Sequence, residues 1–220
     1  MKVVCFDLDD TLYKEIDFVM SAFKEVISYA FSQSYNSLLS QQDVFSEMLS
    51  AYYSGDNAFE TLNNKLGLQV PVSLYLEKYR MHKPIITLSP GAAALLTSLK
   101  EKGYVVGLIT DGRSVQQRNK IAALGLYQYI DNKNIVISEE IGSSKPSLFN
   151  YRYFMDLYPS AQEYIYVGDN LLKDFLTANK LSWKTICLKD NGFNIHKQCF
   201  EIDASFLPDV LVDSLQEINL

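Results

Sequence analysis

Cysteine is scarce in this chain, and its spacing pairs none of it. Cys5, Cys187 and Cys199 make no Cys-x-x-Cys and no metal-binding spacing. A disulfide framework and a cysteine metal site are therefore not expected. Cys5 and Cys187 lie in apolar, strand-like runs, the ordinary setting of a buried free thiol. Such usage suits a reducing cytoplasm. No apolar run approaches the length that crosses a bilayer. Lys2 precedes Asp7 without a long apolar stretch, so no signal peptide is expected. Positive charge is not in excess either. Twenty basic against 26 acidic residues give a net charge of −6, and no basic stripe is visible, which argues against a nucleic-acid partner. Internal repeats and low-complexity linkers are missing. What remains is 220 residues, 48% hydrophobic and 21% charged. That is enough to bury a substantial core, as one medium domain or as a core with a smaller insert.

The stretch Val3-Val4-Cys5-Phe6-Asp7-Leu8-Asp9-Asp10-Thr11 stands out. An apolar run reads as a strand buried on both faces, and it stops in three carboxylates. A buried strand ending in Asp-x-Asp sets two carboxylates at the carboxyl edge of a sheet, where open α/β folds bind ligands. Carboxylates this close repel each other unless a cation or a proton intervenes. The pattern suggests a hard divalent metal or one protonated acid; an Asp-rich turn is the plainer alternative.

Residues from about Ile16 to Tyr35 repeat apolar positions at three- and four-residue steps, as in an amphipathic helix. Three more helices follow: one with Asp43 as its cap, one from about Asn57 to Leu66 ending at Gly67, and one opened by Pro71. Residues 15–83 thus read as a helical bundle, whose tyrosines (Tyr29, Tyr35, Tyr52, Tyr53, Tyr75, Tyr79) serve packing. From residue 84 onward, strands and helices alternate. Strands are expected at 104–109, 134–137, 164–167, 184–188 and 208–212. Helices are expected from Pro90 to about Lys102, from Ser114 to Leu124, through 149–157, from about Leu172 to Lys180, and briefly over 213–218. Alternation of this kind means a parallel sheet with helices on both faces.

Three of the buried strands end in polar residues: Asp7 with Asp9, Thr110, and Asp169. In a parallel sheet those ends share one edge. Lys145 is expected to begin a helix in the loop between the second and third. Asp7-Leu8-Asp9-Asp10-Thr11, then Thr110, then Lys145-Pro146, then Gly168-Asp169 with Asp174 resemble, in order, the four motifs of the haloacid dehalogenase superfamily of phosphohydrolases. The match covers nearly the whole chain. The resemblance implies a Rossmann-like α/β core of residues 1–14 and 84–220, and a helical cap of the first type over residues 15–83.

The resemblance also implies the chemistry. Asp7 would be nucleophile and metal ligand and would form an aspartyl-phosphate. Asp9 would be the acid and base, with its backbone carbonyl on the metal. Thr110, Asp111 and Lys145 would hold phosphoryl oxygens, and Lys145 would keep Asp7 ionised. Asp169 would bind Mg²⁺, and Asp174 would bind it or orient its waters. Relatives that cleave carbon–halogen bonds lack the second acid, so Asp9 favours phosphate esters. Asp10 reads as a turn or solvated residue.

A Mg²⁺-dependent phosphatase of a small phosphomonoester, of the nucleotide or sugar phosphate class, is the expected activity. The alternatives are a phosphomutase with the same acid pair and a non-catalytic binding protein of this fold. The expected partner is a small phosphorylated metabolite, with no nucleic acid and no membrane, and the chain is a monomer or homodimer in the cytoplasm. Substrate contacts are sought at Arg113 and Lys14, then at Arg80, His82 and Lys83. For His82 a hinge or surface role is the plainer reading.

Overall fold

A computed structural model of the protein describes residues 1–34 and 39–220. The chain forms two compact units, one of residues 17–85 and one of residues 1–16 with 86–220.

The smaller unit is helical. Helix α1 (Glu15–Ser32) buries Phe18, Val19, Ala22, Phe23, Val26, Ile27 and Ala30, the stripe read from the sequence. Tyr35, the end expected for it, lies outside the described residues. Helix α2 (Gln41–Ser54) is capped by Ser40 and not by Asp43. The Ser40 hydroxyl accepts the Asp43 N–H at 3.1 Å and donates to the Asp43 carboxylate at 2.6 Å. Asp43 instead sits in the first turn, where its charge meets the positive end of the helix dipole. Helix α3 (Ala58–Leu66) runs from its Asn57 cap to Gly67, and α4 (Val72–Met81) follows Pro71. Tyr75 is fully buried, stacks on Phe59 at 5.9 Å and donates to Asn63 at 3.0 Å. Tyr53 departs from the packing role expected of it, since 65% of it is exposed. His82 is no surface histidine. It is buried, with Nε2 2.7 Å from the Ser21 hydroxyl and Nδ1 against the Glu25 carboxylate. The same Ser21 oxygen accepts the Ile85 N–H, so His82 and Ser21 fasten the exit of α4 to α1.

The larger unit is built on one sheet. Strands β1 (Lys2–Phe6), β2 (Val105–Thr110), β3 (Ile135–Ile137), β4 (Glu163–Gly168), β5 (Lys184–Leu188) and β6 (Val210–Val212) pair in parallel, in the order β3-β2-β1-β4-β5-β6. Helices α5 (Pro90–Glu101), α6 (Ser114–Ala123), α7 (Ser138–Ile141), α8 (Leu148–Leu157) and α9 (Phe175–Lys180) connect them. On one face Val3, Cys5, Ile109, Val136, Tyr166 and Cys187 pack with Tyr151 and Phe154 of α8 and Phe175 of α9. Val4 and Phe6, which point the other way, are equally buried. Burial on both faces is why β1 reads as an unbroken apolar run.

Three details differ from expectation. Lys145 does not begin α8: Lys145 and Pro146 precede its cap, Ser147. Helix α9 starts at Phe175 and not near Leu172. The final segment over 213–218 is a short 3₁₀ turn, Leu215–Glu217. The strand order reverses between β1 and β4, and the crevice at such a reversal is where open parallel sheets place ligands.

Candidate active site

Asp7 is the first residue past β1. Its N–H donates to Val167 at 2.9 Å, so β1 is held to β4 for one residue more before the chain turns away. The turn is closed by Asp10, whose backbone is left-handed at φ 56°. Its carboxylate accepts the N–H groups of Glu15 at 3.0 Å and Ile195 at 2.8 Å. Asp10 is thus the expected turn residue, but it is buried and not solvated. It joins the start of α1 to the loop after β5.

Lys145 sits at the centre of the acids. Its Nζ lies 2.6 Å from Asp7 Oδ1, 2.7 Å from Asp174 Oδ1 and 3.2 Å from the Tyr166 hydroxyl. Burial opposes its charge, but Asp174 and Asp7 outweigh that and hold its pKa well above the ordinary lysine value. Asp174 is fully buried. Its Oδ1 also accepts from Tyr166, and its Oδ2 accepts the N–H groups of Asp169 at 3.1 Å and Asn170 at 2.8 Å. Asp169 in turn accepts from Asn194 at 2.8 Å and from the Thr11 hydroxyl at 3.4 Å.

Lys145 and burial act on Asp7 in opposite directions. Burial, with the charges of Asp174 and Asp9, pushes Asp7 up to about 7 in spite of Lys145. Burial and the neighbouring Asp174 and Asp7 push Asp169 up to about 9. Asp7, Asp169 and Asp174 each offer a carboxylate oxygen within 4.8 Å of the others. An all-oxygen set of this kind fits a hard divalent cation, and a cation there would relieve the acids that one lysine cannot neutralise. Asp7 and Asp169 have acceptor capacity to spare for it. Asp174 already receives four donors, which suits it to fixing Asp169 and Lys145.

Asp9 points to a different set of partners. Lys120 Nζ lies 2.7 Å from Asp9 Oδ1, and the Tyr13 hydroxyl donates to the same oxygen. Gln117 Nε2 donates to Asp9 Oδ2 at 2.9 Å and to Thr110 Oγ1 at 2.7 Å. Burial raises the Asp9 pKa, but Lys120, Tyr13 and Gln117 together hold it below the usual carboxylate range. Gln117 and Lys120 were not among the residues singled out in the sequence. The available signal was position: with Ile121 they fall at i, i+3 and i+4 on the buried stripe of α6.

The remaining residues separate into two groups. A polar cavity of about 150 Å³ is lined by Asp7, Asp9, Asp10, Glu15, Thr110, Asp111, Lys145, Asp169, Asn170, Lys173 and His196. Asp111 belongs to it, accepting the Lys145 N–H at 3.0 Å and pairing with Lys173 at 3.5 Å. Lys14 is tied to Asn194 at 2.6 Å and lines a neighbouring cleft instead. Arg113 is exposed and paired with Glu139 at 3.0 Å, outside the cavity lining. Arg80, His82 and Lys83 belong to the helical unit. No helix among the described residues is long and apolar enough to cross a membrane.

Known proteins share this architecture. Among solved structures, the chain resembles a HAD phosphatase from Thermococcus onnurineus, with a TM-score of 0.61 at 21% identity over 99% of this chain and 95% of that one. It resembles the magnesium-bound YfnB of Bacillus subtilis with a TM-score of 0.64 at 20% identity, covering 98% of this chain and 96% of that one. In sequence it is similar to the glyceraldehyde 3-phosphate phosphatase of Methanocaldococcus jannaschii, 25% identical over 99% of this chain and 95% of the relative. It is 30% identical to the enzyme of the same name from Pyrococcus furiosus, over 86% of this chain and 81% of the relative. The pyrimidine 5'-nucleotidase YjjG of Escherichia coli is 26% identical over 98% of this chain and 95% of the relative. The family pattern described as haloacid dehalogenase-like hydrolase matches residues 4–188. The chain belongs to the haloacid dehalogenase-like hydrolases.

Proposed function

We propose that this hydrolase of phosphoric monoesters acts on a small sugar phosphate, works with Mg²⁺ and passes through an aspartyl-phosphate on Asp7, with residues 17–85 as its cap. The observation that carries the reading is the division of labour between two acids two residues apart. Asp7 faces Lys145 at 2.6 Å within the acidic cluster, while Asp9 faces Lys120 at 2.7 Å outside it. That division supports reading Asp7 as the nucleophile toward phosphorus and Asp9 as the group that handles a proton.

In the first step a carboxylate oxygen of Asp7 forms a bond to phosphorus as the ester P–O bond breaks. The leaving alkoxide takes its proton from Asp9, whose low pKa in the free protein is raised when the negative phosphate binds beside it. In the second step Asp9 removes a proton from water, and the oxygen of that water bonds to phosphorus. The Asp7–phosphorus bond breaks, releasing inorganic phosphate and restoring both acids. The Thr110 hydroxyl and the Lys145 ammonium hold the phosphoryl oxygens and stabilise the charge that spreads over them. Mg²⁺ would be held by Asp7 and Asp169 and would neutralise charge between nucleophile and phosphoryl group. Asp174 keeps Lys145 and the Asp169 backbone in place.

Support for a sugar phosphate comes from the relatives named for glyceraldehyde 3-phosphate, which align along most of the chain. The cavity of about 150 Å³ also suits a small ester. The test is phosphate release from a panel of triose, pentose and nucleoside monophosphates, with Mg²⁺ or with chelator, and with Asp7→Asn as control. Metal-dependent release that is greatest on the sugar phosphates and lost in Asp7→Asn is expected. Preference for nucleotides would overturn the substrate class, and turnover retained by Asp7→Asn would overturn the mechanism.

A further inference from the structure

Asp9 follows Asp7 by two residues, yet its carboxylate does not join the Asp7–Asp169–Asp174 cluster. Side chains from one helix, together with the Tyr13 hydroxyl, account for that. Lys120 and Gln117 of α6 are each 1% exposed, an unusual burial for a lysine and a glutamine. A buried ammonium is unfavourable unless it is paired. Lys120 pairs with Asp9 Oδ1 at 2.7 Å and with Glu15 Oε1 at 3.7 Å. Gln117 uses its amide nitrogen twice, toward Asp9 Oδ2 and toward Thr110 Oγ1. An amide nitrogen carries two protons, so both contacts can be made at once. Because Thr110 Oγ accepts from Gln117, its own O–H is left to donate to a phosphoryl oxygen.

The approach of Gln117 depends on Gly112. A Cβ there would stand 3.0 Å from Gln117 Cδ, and the backbone φ of +143° disfavours any side chain. The turn after β2 is thus shaped to let the Gln117 side chain through.

We propose that Gln117 and Lys120 are positioning residues, which hold the Asp9 carboxylate beside Thr110 and away from the metal-binding acids so that it serves proton transfer. The proposal rests on the reading of Asp9 as the acid and base of a phosphatase. The two residues act through Asp9, and the reacting phosphoryl group is touched by Thr110 and Lys145 instead.

The test compares two esters. A primary alkyl phosphate must have its leaving oxygen protonated, whereas p-nitrophenyl phosphate leaves as a stable phenolate. The quantity is kcat/KM, which reports the step that expels the leaving group, for wild type, Asp9→Asn, Lys120→Met and Gln117→Leu. General acid catalysis is worth about 10²–10⁴-fold. Each α6 variant is therefore expected to lose at least about 10-fold more on the alkyl ester than on the aryl ester, in the pattern of Asp9→Asn. Equal losses on both esters would mean a merely structural role and would overturn the proposal. Crystal structures of the two variants give a readout independent of activity. Asp9 is expected to turn away from Thr110, and an unmoved carboxylate in both variants would overturn the proposal. Wild-type protein that hydrolyses neither ester would count against the phosphatase reading, and the crystallographic arm would still decide the positioning one.

Discussion

Asp174 accepts from Lys145, Tyr166 and the backbone of Asp169 and Asn170, and no part of it is exposed. Removing it leaves the buried Lys145 ammonium short of one carboxylate and two backbone N–H groups without an acceptor. Breaking a buried pair from one side costs roughly 3–5 kcal/mol. Asp174→Ala is therefore expected to lower the unfolding free energy by that amount, read as a lower urea midpoint with the slope unchanged. A loss below about 1 kcal/mol would mean that solvent or a neighbour takes over its role. The same residue shows what the sequence conceals. Its spacing from Asp169 marked it for the site, but only the fold shows that its oxygens are already taken. Gln117 and Lys120 were missed for a related reason. They sit in a helix with many polar residues, where a solvated face is the ordinary reading, and their partners Asp9 and Thr110 come from distant parts of the chain.

At the scale of elements, strands β1 to β5 were legible because burial on both faces leaves an apolar run with no alternation to misread. The short elements were not. Helix α7 has four residues, too few to show a 3.6-residue period, and it lies in a stretch that reads as loop. The late start of α9 has a specific cause: the Asp174 side chain accepts the Asp169 and Asn170 N–H groups and so holds residues 170–174 as a turn. The packing between elements gives a further prediction. Gly107 lies in β2 opposite Cys5, beneath α8. A Cβ there would stand 2.7 Å from Phe154 Cζ and 2.9 Å from Cys5 Sγ. Gly107→Ala forces α8 outward and is expected to cost about 1–3 kcal/mol, as overpacking does. In a chain of this size each kcal/mol lowers Tm by about 2–4 °C. An unchanged melting curve would show that Phe154 has room to rotate.

For the whole molecule, the buried acids tie stability to pH and to metal. Burial and neighbouring carboxylates push Asp7 up to about 7, Glu15 to about 8 and Asp169 to about 9. Their unfolded values lie near 4. Between these limits the folded chain holds protons that the unfolded chain has already released, so stability falls as pH rises. Asp9 is shifted down, below this window, and Lys145 up, above it, so neither offsets the fall. A divalent cation needs the ionised acids, so its binding gains strength over the same range. Free metal at about 100 times its Kd adds about 2.7 kcal/mol. In chelator, Tm is expected to drop from about pH 4 to about pH 9, most steeply below about pH 7. With Mg²⁺ the drop should be smaller, and the gap between the two curves should widen with pH. Parallel curves would mean that metal binding releases no protons from these acids. A flat chelator curve would mean that water or a retained cation already compensates their charge.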